Sequence, residues 1–307
     1  MTKTIQRTKS SNSKSIEKYP KVSIFIATLN NEKILKTVIE GLLKMDYPND
    51  FEVIVANDGS TDNTWKMLQG FGNKIKAINF EKRGGVCRTR NAAIKATKFP
   101  IIINMDHDCI PDKNWLNDMM KGFEDPKVGV VSAYDYFGGT CTGFRKELVE
   151  KVGGYDEAYF FYREDTDLSF KVMDLGYEFK LVKANYIHDH EMVKPKNWKA
   201  KIDYVFRSWR IHQNDVLLYK KHPTNVCKEF LHIKGGFLVD PFWDLSIATG
   251  KWEKGAKLSL SSPRGITVLE NKTPLHTLAI LLAGIVFVIG LKLYRLKASI
   301  KHGKLLI

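Results

Sequence analysis

The stretch Ile101-Ile102-Ile103-Asn104-Met105-Asp106-His107-Asp108 decides the fold. Ile101 to Met105 reads as a buried strand, and two carboxylates one residue apart, Asp106 and Asp108, stand where it ends. In an open α/β sheet, ligands bind in the crevice at the carboxyl ends of the strands. Magnesium usually takes one or two carboxylates together with the phosphates of a substrate. The spot therefore suits a metal that meets a nucleotide diphosphate. An Asp-x-Asp by itself is equally an acidic turn after a strand, so the neighbouring elements have to decide.

Upstream, Val22 to Ala27 reads as an apolar strand, and Asn30 or Asn31 can cap the helix that follows. That helix shows Ile34, Leu35, Val38, Ile39, Leu42 and Leu43 at helical spacing. Phe51 to Ala56 and Ile75 to Phe80 are further strands. Asp58-Gly59-Ser60 turns, and Thr61 or Asp62 caps a short helix between them. Gly84-Gly85 opens a helix through Lys98. Strands alternating with helices predict parallel units with right-handed crossovers. Downstream, Val128 to Ala133 is a fifth strand, a short strand lies near Thr140, and a helix starts at Lys146. A long loop at Gly153 to Arg163 leads to a helix from Glu164 to Leu175 and a strand at Glu178 to Val182. Residues 195–222, rich in Trp, Lys and Arg, read as helical.

The chain has 307 residues and a net charge of +14, and the location of that charge is informative. Residues 1–20 carry Lys3, Arg7, Lys9, Lys14 and Lys18 against Glu17, and residues 292–307 carry five basic residues and no acid. The two ends thus hold 9 of the 14 charges. A nucleic-acid binder would carry its basic stripe on the fold, so no nucleic-acid partner is expected. Basic ends beside an apolar helix suit anionic lipid instead. Cys87, Cys109, Cys141 and Cys227 are scattered without a C-x-x-C pair, which suits a reducing compartment rather than a disulfide framework or zinc site. Leu275 to Leu291 is the one long apolar run. At ~1.5 Å per residue it spans roughly 26 Å, close to the ~30 Å of a hydrocarbon core, and a single membrane span is the first reading. A helix lying in the interface is the alternative. Basic residues flank the run on both sides, so they leave its orientation open.

Several short motifs remain. They are Thr28-Leu29-Asn30 at the first strand end, Asn57-Asp58-Gly59-Ser60-Thr61-Asp62, and Arg88-Thr89-Arg90-Asn91-Ala92-Ala93. Then come Asp106-His107-Asp108, Gly143 followed by Glu164-Asp165-Thr166-Asp167-Leu168, His188 after a strand, and Arg210 to Lys221. Each has a plain structural alternative: a cap, a turn, a solvated arginine, or acids at a helix N-terminus. In this order and together, over about residues 21–222, they resemble the family 2 glycosyltransferases, inverting enzymes of the GT-A fold.

The resemblance implies an α/β fold with a Rossmann-like mixed sheet flanked by helices. It implies Mg²⁺ or Mn²⁺ at a DXD motif and a donor that is a UDP-, GDP- or dTDP-linked sugar. Thr28 and Asn30 would lie near the nucleotide, Asp58 would bind the base, and Arg90 would face the pyrophosphate. Asp106 would approach ribose and metal, Asp108 would be the main metal ligand, and His188 would complete the metal shell. Asp165 would be the general base, with Gly143, Glu164, Asp167 and Arg210 on the acceptor side. The chain departs from the family pattern at Ala27, Leu29, Asn57, Ala93 and Lys171, and His107 is assigned no role. The Gln-x-x-Arg-Trp motif of processive synthases is absent, which favours one sugar per cycle.

The expected organisation is a disordered basic tail at 1–20, the catalytic domain at 21–222, and a linker or interfacial segment at 223–273 containing Trp243 and Trp252. A membrane helix at 274–294 and a basic tail at 295–307 follow. The expected enzyme sits at the cell membrane with its catalytic domain in the cytoplasm and acts on a lipid-linked or envelope glycan. The alternatives are a polyprenyl-phosphate sugar synthase and an inactive GT-A domain serving as a membrane scaffold.

Overall fold

The computed structural model describes residues 19–189, 197–251, 258–261 and 267–307. The expected basic tail at 1–20 falls almost entirely outside these residues, as does Trp252. The chain runs β1 (Val22–Thr28), α1 (Glu32–Leu42), β2 (Phe51–Asn57), α2 (Thr64–Gln69), β3 (Lys76–Asn79), α3 (Val86–Ala96) and β4 (Ile101–Asn104). It continues through β5 (Cys109–Pro111), α4 (Trp115–Met120), β6 (Val128–Ser132), β7 (Thr142–Arg145), α5 (Lys146–Lys151), α6 (Glu164–Met173), β8 (Glu178–Leu181) and β9 (Tyr186–His188). Helices α7 (Trp198–Ile211), α8 (Gln213–Lys221), α9 (Asn225–Phe230), α10 (Pro241–Ala248) and α11 (Pro274–His302) complete it, with two small hairpins, Ile233–Lys234 with Leu238–Val239 and Ser259–Ser261 with Thr267–Glu270.

Seven strands form one mixed sheet in the order β3-β2-β1-β4-β7-β6-β8. The four N-terminal strands pair in parallel, as the alternating pattern predicts. Strand β7 runs antiparallel to both β4 and β6. Along β1 the two-residue period divides the core between two layers. Ile24 and Ile26 pack with Leu35, Val38, Ile39 and Leu42 of α1. Phe25 points the other way, into a cluster with Cys87, Ala93 and Ile94 of α3. A strand covered by helices on both faces reads as a continuous apolar run, which is why β1 and β4 stood out in the sequence. Truncating a fully buried residue such as Leu35 to alanine removes about 2–5 kcal/mol.

Beyond the sheet, the helical stretch expected at 195–222 breaks at His212 into α7 and α8. Trp243 of α10 stacks on His232 with ring centroids 3.8 Å apart. Its half-buried indole packs on the edge of the α8–α9 cluster. Helix α11 is capped by Thr273, whose hydroxyl accepts from the His276 amide, and ends at Gly303 in the left-handed conformation. Among the described residues it is the one helix long and apolar enough to cross a membrane.

Candidate active site

The site lies where β1, β2 and β4 end and β7 begins. The turn Asp58-Gly59-Ser60 follows β2, and both oxygens of Asp58 accept backbone N–H groups, from Gly84 at 2.8 Å and Gly85 at 3.0 Å. The carboxylate thus fixes the entry into α3. Asn30, with φ at 51°, does not cap α1. Its carboxamide oxygen accepts from the Thr61 amide at 2.8 Å, and its own amide donates to Ser60 Oγ at 2.8 Å. Those bonds tie the β1 end to the β2 turn. Gly59 has φ at +73°, and a Cβ there would sit 2.7 Å from the Arg83 nitrogen. Gly59→Ala is expected to cost about 1–3 kcal/mol, readable as a lower denaturant midpoint.

Arg90, on α3, is the centre of the site. Its buried guanidinium donates from Nη2 to Asp106 Oδ1 at 3.1 Å, and from Nη1 to Glu164 Oε1 at 3.2 Å and Asp165 Oδ1 at 3.0 Å. The family resemblance points Arg90 toward a pyrophosphate. The structure makes it the link between the acids after β4 and those opening α6. Tyr155 donates to the same Asp165 Oδ1 at 3.1 Å, and the Arg90 guanidinium lies 5.2 Å from the Tyr155 ring centroid. Among the described residues nothing bonds Asp165 Oδ2, so one carboxylate oxygen is held and the other is open. Burial and the neighbouring Asp165 charge push Glu164 up to about 7, against the pull of Arg90. Burial likewise raises Asp165 above the usual carboxylate range.

On the other side, β5 pairs antiparallel with β9, and Cys109 stands opposite His188. This brings His188 Nε2 to 3.3 Å from Asp108 Oδ1. Burial alone would lower the His188 pKa, but its hydrogen bonds to Asp108 and Cys109 outweigh it and push it up to about 10. Donor atoms of Asp108, Cys109 and His188 lie within 4.8 Å of one another, an oxygen, sulfur and nitrogen set that can hold a divalent ion. A cation held there would need His188 neutral, its ring nitrogen free of the proton. Thr28 Oγ1 lies 3.1 Å from His107 Nδ1, so His107 is spent on the β1 end.

These elements also match a known family. The model for glycosyl transferase family 2 covers residues 23–190, more than half of the chain. The chain belongs to glycosyl transferase family 2. Among its relatives in the family is the probable glycosyltransferase YdaM of Bacillus subtilis (strain 168), 24% identical over 230 residues, 61% of this chain and 54% of that one. Another is the poly(ribitol-phosphate) beta-N-acetylglucosaminyltransferase TarS of Staphylococcus aureus (strain MW2), 33% identical over 190 residues, 61% of this chain and 31% of that one. The chain thus spans about half of the first relative and about a third of the second. The mannosyltransferase PcManGT from Pyrobaculum calidifontis, solved with GDP-Man and Mn²⁺, shares the fold with a TM-score of 0.59 at 19% identity, over 92% of this chain and 87% of that chain.

Of the residues that the resemblance singled out, the structure gathers Arg90, Asp106, Glu164 and Asp165 into one cluster and Asp108 with His188 beside it. It places three others elsewhere. Asp167 is fully buried, bonded to His222 at 3.1 Å and to Tyr159 at 3.2 Å. Burial would raise its pKa, but His222, Lys171 and Lys221 hold it down at about 2. Gly143 is buried in β7 between Ile103 and Val131, where a Cβ would press on Phe123 at 3.1 Å. Arg210 is exposed in the last turn of α7. Sequence reasoning passed over Tyr155, which sits in a loop without local signal, and Cys109, which adjoins Asp108 in the chain. It also passed over Gly138, whose Cβ would stand 2.9 Å from the Asp165 backbone.

Proposed function

We propose that the chain is an inverting, metal-dependent glycosyltransferase that moves one sugar from a nucleotide-diphospho-sugar to an acceptor hydroxyl. One observation carries this reading: a buried arginine joins the acid at the end of β4 to the carboxylate pair opening α6, beside a cluster of metal-ligand type. Asp165, with Oδ1 fixed by Arg90 and Tyr155, presents Oδ2 to take the acceptor hydroxyl proton. Arg90 is held rigid by three carboxylates, so it needs no reorganisation to face charge arising at the donor diphosphate. Asp108 and His188, with Asp106 adjacent, would hold Mg²⁺ or Mn²⁺, which supplies Lewis-acid neutralisation of the departing diphosphate when bound. Asp58, Thr28 and Asn30 frame the nucleotide side. A hydroxyl acceptor suits this arrangement better than a polyprenyl phosphate, because a phosphate needs no base. Titration calorimetry of UDP and GDP, with and without Mn²⁺, tests the donor site.

The acceptor we propose is a lipid-linked or envelope glycan at the cytoplasmic face of the cell membrane. Helix α11 supports this through its two faces. Ile280, Gly284, Phe287 and Leu291 pack inward, whereas Leu275, Leu278, Leu282, Ile285, Ile289 and Leu293 form an exposed apolar stripe. Leu245 and Thr249 of the α10 segment and Trp209 of α7 press on Gly284 and Gly290, so one side of the helix is covered by protein. The free stripe is the surface of this helix that would meet lipid. Replacing Leu278, Leu282, Ile285 and Ile289 by serine is expected to move the protein from sedimenting anionic vesicles to the supernatant. Alkaline carbonate should extract the wild-type chain; retention in the pellet would indicate a span instead.

A further inference from the structure

The loop before α6 ends in two consecutive non-glycine residues with left-handed backbone, Tyr162 at φ 78° and Arg163 at φ 75°. Side chains disfavour this conformation, and it persists only where the surroundings impose it. The surroundings here are α8 and α11. Asn214 donates through Nδ2 to the Phe161 carbonyl at 2.9 Å and the Tyr162 carbonyl at 2.8 Å. Asp215 Oδ1 accepts from Arg163 Nε at 2.7 Å. The other oxygen of Asp215 accepts from Arg295 of α11, at 3.1 Å from Nε and 3.0 Å from Nη2, and lies 3.0 Å from His212 Nδ1. Arg295 also donates twice to Asp244 of α10, at 2.9 and 2.8 Å, and Lys292 Nζ sits 2.9 Å from the same carboxylate. Asp215, Asp244 and Arg295 are almost wholly buried. The Arg163 guanidinium is further flanked by the rings of Tyr162 and Phe230, at 4.3 and 4.8 Å.

A buried salt bridge is weak evidence for stability, and in some proteins such groups fix a single geometry. What this network fixes is the residue directly before Glu164 and Asp165. We propose that Arg163 and Asp215 are positioning residues: their ion pair, closed by Arg295, sets the left-handed turn that aims Asp165, and so couples the apolar C-terminal helix to the active site. The inference rests on the reading of Asp165 as base. It also gives the Arg210 to Lys221 motif a different centre, Asn214 and Asp215 instead of Arg210.

Arg163→Gly is the discriminating variant, because glycine accepts the left-handed backbone while removing the grip on Asp215. Turnover of the full chain on anionic vesicles, read as UDP or GDP release from the sugar nucleotide it consumes, is expected to fall at least about tenfold in kcat. The KM for that donor should stay near wild type. The thermal midpoint falls, because one partner of a buried ion pair is removed, and rates are read well below the variant's own midpoint, with Asp215 still paired to Arg295. Arg163→Lys, which keeps one donor to Asp215, should recover part of the loss. Turnover of Arg163→Gly within about twofold of wild type, or a loss that Arg163→Lys leaves untouched, overturns the proposal. Asp165→Asn is run beside it. Normal turnover there removes the base reading and the positioning with it, whereas an inactive Asp165→Asn with normal Arg163→Gly overturns the positioning alone.

Discussion

Asp165→Asn is expected to slow sugar transfer by about 10²–10⁴-fold, the range a positioned general base supplies, while nucleotide affinity stays close to wild type. Asparagine keeps the shape and can still accept from Arg90 and Tyr155 through its carbonyl, so the geometry of the cluster should survive. What disappears is the basic oxygen. The stability of the variant provides a check on that argument. One guanidinium faces Asp106, Glu164 and Asp165, and burial raises both members of the α6 pair. For an acid with a raised pKa in the folded protein, the stabilising contribution is full at low pH and is lost as pH climbs through the folded value. For Glu164 that loss runs from its ordinary 4.5 up to about 7. Removing the Asp165 charge relieves the crowding, so the variant should melt no lower than wild type at pH 8. The same shift gives the rate its sign. The base must be ionised, so kcat should rise with pH toward neutrality, and the acid limb should vanish in Asp165→Asn. An active variant, or one that loses activity only by unfolding, would remove Asp165 from this role.

Much of this site was legible because its residues follow local rules. A run of isoleucines ending in two acids, set between turn signals, reads as a buried strand whose end faces solvent, and the α1 face from Leu35 to Leu42 announces its partner layer by period alone. The acids opening α6 were visible as a motif. The parts that stayed hidden depend on pairings distant in the chain. Nothing near Cys109 says that it will face His188 across an antiparallel pair, yet that pairing creates the Asp108 cluster. Nothing near Thr142 says that β7 will insert antiparallel between β4 and β6. The resemblance points Arg90 toward the phosphates, and the three carboxylates that hold it come from two separate segments that no local pattern joins. The long apolar run posed the opposite problem. Composition allowed a span or an interfacial helix, and the packing of Gly284 and Gly290 against α10 and α7 shows which face is covered.

Asp108→Ala is the second large effect, and it separates metal from base. Asp108 carries the carboxylate that joins His188, and the third donor, Cys109, is fully buried. Alanine leaves an imidazole and a thiol, a set poorly matched to Mg²⁺ or Mn²⁺, which favour carboxylate oxygen. Mn²⁺-dependent affinity for UDP or GDP should therefore fall by at least about 100-fold, the upper end of what loss of a supporting partner costs a metal site. Binding in the absence of metal should change little, because Asp58 and Asn30 hold the β2 turn independently of Asp108. Calorimetric titration of both nucleotides into both proteins, with and without Mn²⁺, reads all of this in one series. Retained metal dependence in the variant would shift the ligand role to Asp106, which already shares an oxygen with Arg90. Loss of the metal effect matters for the mechanism, because Arg90 by itself cannot neutralise a diphosphate fully while its charge is divided among Asp106, Glu164 and Asp165. A metal held by Asp108 and His188 would supply that neutralisation, leaving Arg90 to hold Asp165 in place.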